Sequence, residues 1–132
     1  MNFTSSKLAG ADFSKTTLDR ARLDQATLEA CTLFGARGEG ASFAGSALLF
    51  REAGETQFRN ANFRAAKLRN LKFEGADLRG ADFRDVVATG AMIIERSDIS
   101  GADFRGSSGI KFEGERLGVV VALRLPHVSR RS

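Results

Sequence analysis

Residues 56–85 read TQFRN-ANFRA-AKLRN-LKFEG-ADLRG-ADFRD, six consecutive groups of five. The third residue of every group is Phe or Leu, and the first is Ala in four of the six. The pattern runs outward in both directions. Every fifth position from Phe3 to Ile93 gives nineteen residues, of which sixteen are Phe, Leu or Ile. Two residues earlier, fifteen of the nineteen are Ala, Ser, Thr or Cys. The frame slips by one residue after Ile93 and resumes at Ile99 and Phe104, which makes about 21 units over residues 1–105. Such self-similarity is read before any helix or strand is assigned.

A period of five is neither the 3.6 of a helix nor the 2 of a simple strand. On a helix a five-residue step advances about 140° beyond a full turn, so the large side chains would wind around every side. A chain that turns a corner every five residues avoids this. Each unit then points one large and one small side chain inward and three residues outward. The last outward position is the corner, and nine of the fourteen Gly fall there: Gly10, Gly35, Gly40, Gly45, Gly75, Gly80, Gly90, Gly101 and Gly106. That match is independent of the apolar pattern that defined the unit.

The units Ala11-Asp12-Phe13, Ala61-Asn62-Phe63, Ala76-Asp77-Leu78, Ala81-Asp82-Phe83 and Ala102-Asp103-Phe104 resemble those of the pentapeptide-repeat family, A-(D/N)-L-x-x. The resemblance implies an all-β fold, a right-handed quadrilateral parallel β-helix of about five coils. Four units per coil place residues twenty apart above one another, about 4.8 Å per coil, in a rod of roughly 25 Å. One inward ladder is then Phe3, Leu23, Phe43, Phe63, Phe83 and Phe104. Cys31 takes a small inward slot and reads as a buried small hydrophobe. The pattern is weakest at Gly38 and Ala53, with Arg51 in a small slot. Phe34, Leu49 and Phe50 lie nearby at outward positions. Either one of them turns inward by local repacking, or they form an apolar contact patch.

The β-helix is expected over residues 1–106, with a cap or tail over 107–132. Leu117–Leu125 is the most continuous apolar run, followed by Pro126, and both strand and helix stay open for it. A solenoid end exposes core and strand edges that need covering. The run is expected to cap the rod, and its rival role is a homodimer contact. The repeat begins at Phe3 with no cap, so a second subunit at the N-terminal end, or a longer parent chain, is the other expectation there.

Composition excludes several function classes. One Cys and one His allow neither an intrachain disulfide nor a zinc cage. His127 sits in the tail with no fixed partner. There is no G-x-S-x-G stretch, P-loop or dinucleotide fingerprint. We therefore expect no enzyme, no catalytic residues, no cofactor and no metal. No apolar run reaches the roughly 18 residues of a membrane span, and the N-terminus has no signal-like apolar segment, so a cytoplasmic protein without membrane contact is expected.

The formal charge is +4, but its placement is uneven. Residues 1–105 carry fifteen Lys/Arg against fourteen Asp/Glu, whereas residues 106–132 carry five against two. Residues 59–72 hold Arg59, Arg64, Lys67, Arg69 and Lys72 with no acid. Arg64, Arg84 and Arg105 should line up coil upon coil. Asp82 should lie beside Asp103, and Asp77 beside Asp98, within an ion-pair lattice with Arg79, Arg84 and Arg105.

The first functional expectation is a non-catalytic interaction or scaffold protein that presents rigid faces to a protein partner. The candidate contacts are Arg59, Arg64, Arg69, Arg84, Arg105, Leu49 and Phe50. The resemblance implies a second reading, binding of DNA gyrase or topoisomerase IV by an acidic rod that imitates duplex DNA. That reading requires a strongly negative surface, and this rod is almost neutral. A third reading is an electrostatic binder of nucleic acid or an anionic surface through Arg59–Lys72 and the basic tail. It ranks lower because the basic excess lies in the tail.

Overall fold

The computed structural model describes residues 1–49, 53–113 and 129–131. Phe50, Arg51, the Leu117–Leu125 run and His127 lie outside the described residues. The described chain is a four-sided parallel β-helix of about five turns. Its longer rungs are strands of three residues: β1 Lys7–Ala9, β2 Thr27–Glu29, β3 Ala47–Leu49, β4 Lys67–Arg69, β5 Lys72–Glu74, β6 Val87–Thr89, β7 Ile93–Glu95, β8 Lys111–Glu113 and β9 Ser129–Arg131. They form two sheets, β1-β2-β3-β4-β6 and β5-β7-β8-β9, with every neighbouring pair parallel. The other two sides are ladders of single bridges such as Asn62↔Asp82 and Gln57↔Asp77. We name the four faces by their central residues in one coil: Phe58, Phe63, Leu68 and Phe73.

The corner follows from the five-residue step. Wherever the chain is described, positive φ recurs at every fifth residue from Ser5 to Gly90, and again at Arg96, Gly101 and Gly106. Eleven of these corner residues are not glycine and hold φ between 48° and 61°. A left-handed L-residue costs about 1 kcal/mol, so the ladder on both sides must impose it. Many corners are closed by a backbone bond across the turn, as where the Ala21 N–H donates to the Leu18 carbonyl at 2.9 Å. Successive coils are joined as a parallel ladder: the Phe63 N–H donates to Asp82 at 2.7 Å and the Asp82 N–H donates to Ala61 at 2.9 Å.

The inward ladder on the Phe63 face is as the spacing requires. The rings of Phe43, Phe63, Phe83 and Phe104 stack with centroids 5.0, 4.9 and 4.9 Å apart and planes within 9°. Across the rod the same rings meet edge-on, as with Phe58–Phe63 at 64° and Phe73–Phe83 at 84°. Offset stacking along the axis and edge contacts across it are the two favourable aromatic arrangements. At the first coil Phe3, Leu8 and Phe13 are only partly buried, although they pack against the core. At the other end the ladder runs on to Glu113, where Phe112 is buried edge-on to Phe104 at 5.0 Å.

Two details differ from the sequence reading. The one-residue slip lies at Ala91, before Ile93 and not after it. Phe73 pairs with Ile94, Met92 and Ile94 are fully buried, and Ile93 faces outward. The extra residue widens the corner, and the Asn70 side chain accepts the Ala91 N–H at 2.9 Å. Near Gly38, of the nominally outward side chains that are described, neither Phe34, which is 39% exposed, nor Leu49, which is half-buried at its outward position, turns inward. The space is filled from the next coil. A Cβ on Gly38 would lie 2.6 Å from the Phe58 ring.

Gly38→Leu, which restores the five-residue pattern, is therefore expected to destabilise the rod by about 2 kcal/mol through overpacking. Adding Phe58→Leu should recover much of that loss, because the two residues share one space. Denaturant unfolding of the four members of the cycle checks this, and additive losses would refute it.

Candidate functional site

Besides its corner residue, each unit offers two outward side chains, one before and one after the buried central residue. On the Phe58 and Phe63 faces the first is often Asp or Asn, and its local task is structural. Asn62, Asp77, Asp82, Asp98 and Asp103 there, and Asp12 on the Phe73 face, each accept the backbone N–H two residues on, at 2.8 to 3.2 Å. This Asx bond fixes the entry to the corner. Adjacent coils set Asp82 beside Asp103 and Asp77 beside Asp98.

The arginines answer those carboxylates. Arg79, Arg84 and Arg105 turn back on Asp77, Asp82 and Asp103, with Nη2 at 2.8, 2.7 and 2.6 Å and Nε also bound in each case. Arg59 reaches up to Asp77 at 3.0 Å. Weaker contacts run to the next coil, Arg79–Asp98 at 3.8 Å and Arg84–Asp103 at 4.0 Å. Arg64 faces Asp85 at 3.8 Å. The ion-pair lattice expected from the sequence is thus present, and the Arg64–Arg84–Arg105 row is balanced within the rod. The Arg79 side-chain hydrogen bond is the main cause that lowers Asp77 from an ordinary 3.8 to about 2. At Asp82 burial pushes the carboxyl up, but the hydrogen bonds and charge of Arg84 prevail and its pKa is lowered.

The Phe73 face carries a shallow notch of about 380 Å³, lined by Phe34, Gly54, Glu55, Lys72, Glu74 and Arg96 among others. It exists because Gly54 stands where the coils above present Glu74 and Glu95. Its cations are paired as well: Lys72 with Glu95 at 3.2 Å and Glu74 at 3.7 Å, and Arg96 with Glu74 and Glu95.

The Leu68 face is different. Its outward rows are Lys7, Thr27, Ala47, Lys67 and Val87 on one side, and Ala9, Glu29, Leu49, Arg69 and Thr89 on the other. Lys7, Lys67 and Arg69 are exposed and have no acidic partner among the described residues. Val87 is 49% exposed. Of the contacts expected from sequence, Arg59, Arg64, Arg84 and Arg105 are paired, Leu49 and Arg69 are brought together on this face, and Phe50 is outside the described residues. Lys7 and Val87, which are not among the sequence candidates, share this face. Their signal was the twenty-residue spacing that aligns 7, 67 and 87. Cys31 is a buried thiol whose Sγ donates to the Leu8 carbonyl at 3.3 Å. Among the described residues there is no group of three or more His, Cys, Asp or Glu that could hold a metal ion, and no helix long and apolar enough to cross a membrane.

The family model described as Pentapeptide repeats matches in eight copies, over residues 2–35, 56–91 and 72–108. Among solved structures the chain is similar to a pentapeptide repeat protein of the Arabidopsis thaliana thylakoid lumen, at 26% identity and a TM-score of 0.58, covering 80% of this chain and 66% of that one. It is also similar to Rfr23 from the cyanobacterium Cyanothece 51142, at 17% identity, TM-score 0.47 and coverage of 88% and 87%. QnrB1, a plasmid-mediated fluoroquinolone resistance protein, matches at 24% identity and TM-score 0.44, covering 87% of this chain and 54% of that one. The chain thus spans just under two thirds of the thylakoid-lumen protein and about half of that trypsin-treated QnrB1 chain. A comparison with curated proteins found no match.

The Asp77 pairing predicts an acid effect of known sign. Its folded pKa, about 2, lies below the ordinary 3.8. The stability it contributes is present above about pH 4 and is lost as pH falls toward 2. Asp77→Asn keeps the Asx acceptor and removes the charge. It should lower stability by about 0.5 kcal/mol at neutral pH, a small value because water screens the pair, and flatten the acid limb. Thermal unfolding of both proteins across that pH range measures this, and parallel limbs would refute it.

Proposed function

The chain belongs to the pentapeptide-repeat family, and on that premise we propose that it is a non-catalytic interaction protein, a rigid rod that offers flat faces to a protein partner. The supporting observation is the fixed lattice of outward side chains, held one coil apart by the stacked core with no buried polar side-chain atom unpaired among the described residues. A partner that meets such a lattice has little ordering to impose, which lowers the entropic cost of binding. The reading includes a cytoplasmic setting, consistent with a single cysteine kept as an unpaired, buried thiol. Imitation of duplex DNA is disfavoured on this surface. Asp77, Asp82 and Asp103 each hold an arginine fork, so the acidic rows do not build a continuous negative field.

A pull-down from the source cell, with the full chain as bait and nuclease added, tests this reading. We expect at least one protein to be retained in stoichiometric amount. The Arg64→Ala/Arg84→Ala/Arg105→Ala variant should keep it, because Arg84 and Arg105 are already engaged by their own carboxylates. Retention of nothing beyond the control would overturn the reading, and retention that vanishes with nuclease would replace it by the nucleic-acid one.

A further inference from the structure

We propose that the outer surface of the β1-β2-β3-β4-β6 sheet is the recognition face, and that it takes an extended acidic peptide segment with an uncharged, apolar side chain between two carboxylates. This rests on the interaction reading above and names the partner's chemistry.

On the Phe58, Phe63 and Phe73 faces Arg22, Arg37, Arg59, Lys72, Arg84 and Arg105 are each drawn into a pair within the rod. On the Leu68 face Lys7, Lys67 and Arg69 have no acidic partner among the described residues, and Glu29 is the one acid in the two outward rows. Three cations against one anion, held on a rigid sheet, leave an unmatched positive surface that attracts carboxylates.

Geometry narrows the ligand. Lys7, Thr27, Ala47 and Lys67 are consecutive rungs in register. Three rungs separate the two lysines by about 14 Å, and an extended chain places residues four apart on the same side at about 13 Å. A segment that runs along the rod axis therefore sets carboxylates at its first and fifth positions over Lys7 and Lys67. Its third position falls over Thr27 and Ala47, flanked by Leu49 and by Glu29. Apolar surface and a negative charge at that point favour an uncharged, apolar side chain. Arg69 beside Lys67 strengthens the far end.

Other occupants fit less well. The sheet surface is about 20 Å by 10 Å, well below the roughly 800 Å² per partner of a standard interface between folded proteins. That size suits a segment. A second copy would bring the same cations face to face across a two-fold axis. A nucleic acid strand would set evenly spaced phosphates against Glu29, and this face offers no aromatic ring among its described residues on which bases could stack.

The test uses the folded full chain and a displayed library of random short peptides, followed by synthetic copies of the enriched sequences. We expect enrichment of the order acidic, any, apolar, any, acidic. The synthetic peptide should bind more weakly as salt rises. It should lose about tenfold or more in affinity for Lys67→Glu/Arg69→Glu and keep its affinity for Asp82→Asn/Arg84→Gln on the neighbouring face. Lys67→Ala/Arg69→Ala, with unfolding curves for each protein, separates a lost contact from a lost fold. Enrichment without acidic residues, or no enrichment, overturns the proposal, while the nuclease-treated pull-down judges the interaction reading separately. Acidic peptides that bind the charge-reversed variant equally well overturn the choice of face but not the interaction reading. A single-stranded oligonucleotide that displaces the peptide and binds more tightly through Lys67 and Arg69 would replace it with nucleic-acid binding.

Discussion

The coil-to-coil contact between inward side chains is the constraint on which everything else depends. Parallel rungs stand one strand spacing apart, so an inward ring must stack flat on the ring above or leave a void. Phe63 does so with Phe43 below and Phe83 above. Such a core tolerates exceptions only when a neighbouring coil absorbs them. Gly38 is possible because the Phe58 ring lies over it. Ala91 is possible because it is added at a corner, outside the ladder, where Asn70 satisfies its N–H. A residue added within a rung would reverse the facing of each side chain beyond it.

The same constraint explains the surface. A five-residue rung needs a corner with positive φ, and on the faces built of single bridges the approach to that corner needs an acceptor for a backbone N–H. Asp and Asn supply the acceptor, so carboxylates accumulate in rows one coil apart. Rows of like charge repel. The arginine two residues later, at Arg79, Arg84 and Arg105, relieves this by folding back on its own carboxylate. The Asp-Phe-Arg and Asp-Leu-Arg units are thus self-neutralising, and their charges serve the fold before any partner.

Much of this was legible in the sequence, because the unit repeats often enough for each slot to be read many times. The inward positions and the glycine corners follow from counting, while the coil length of twenty, and with it the alignment of the Asp–Arg lattice, follows from the family resemblance. The slip was misplaced for a definite reason. In Ala91-Met92-Ile93-Ile94 both Ala91/Ile93 and Met92/Ile94 satisfy the inward pair, and only the pairing of Phe73 with Ile94 decides between them. Phe112 was missed because the unit before it is cut short at Gly109, which has φ of 84°, so that Phe112 pairs with Ile94 only eighteen residues back. Its signal was the two-residue spacing from Ile110. The candidate contacts were harder to read, because a cationic run along the chain is not a cationic face. Arg59, Arg64 and Arg69 are close in sequence but lie on three different sides of the rod.

In a repeat rod most outward residues answer to the lattice, and their regularity alone is weak evidence for recognition. The informative positions are those whose chemistry the lattice does not require. The Leu68 face holds backbone-paired strands where no Asx bond is needed, so its outward residues are free of the Asp–Arg logic that governs two of the other sides. The lattice gives no reason for Lys67 and Arg69 to flank an inward Leu there without an acid. Solubility alone would be served equally by either sign of charge. A same-sign cluster beside Leu49 and Val87 combines charge that can orient a ligand with apolar area that can hold it. That combination, and not net charge, separates this side of the rod from the other three.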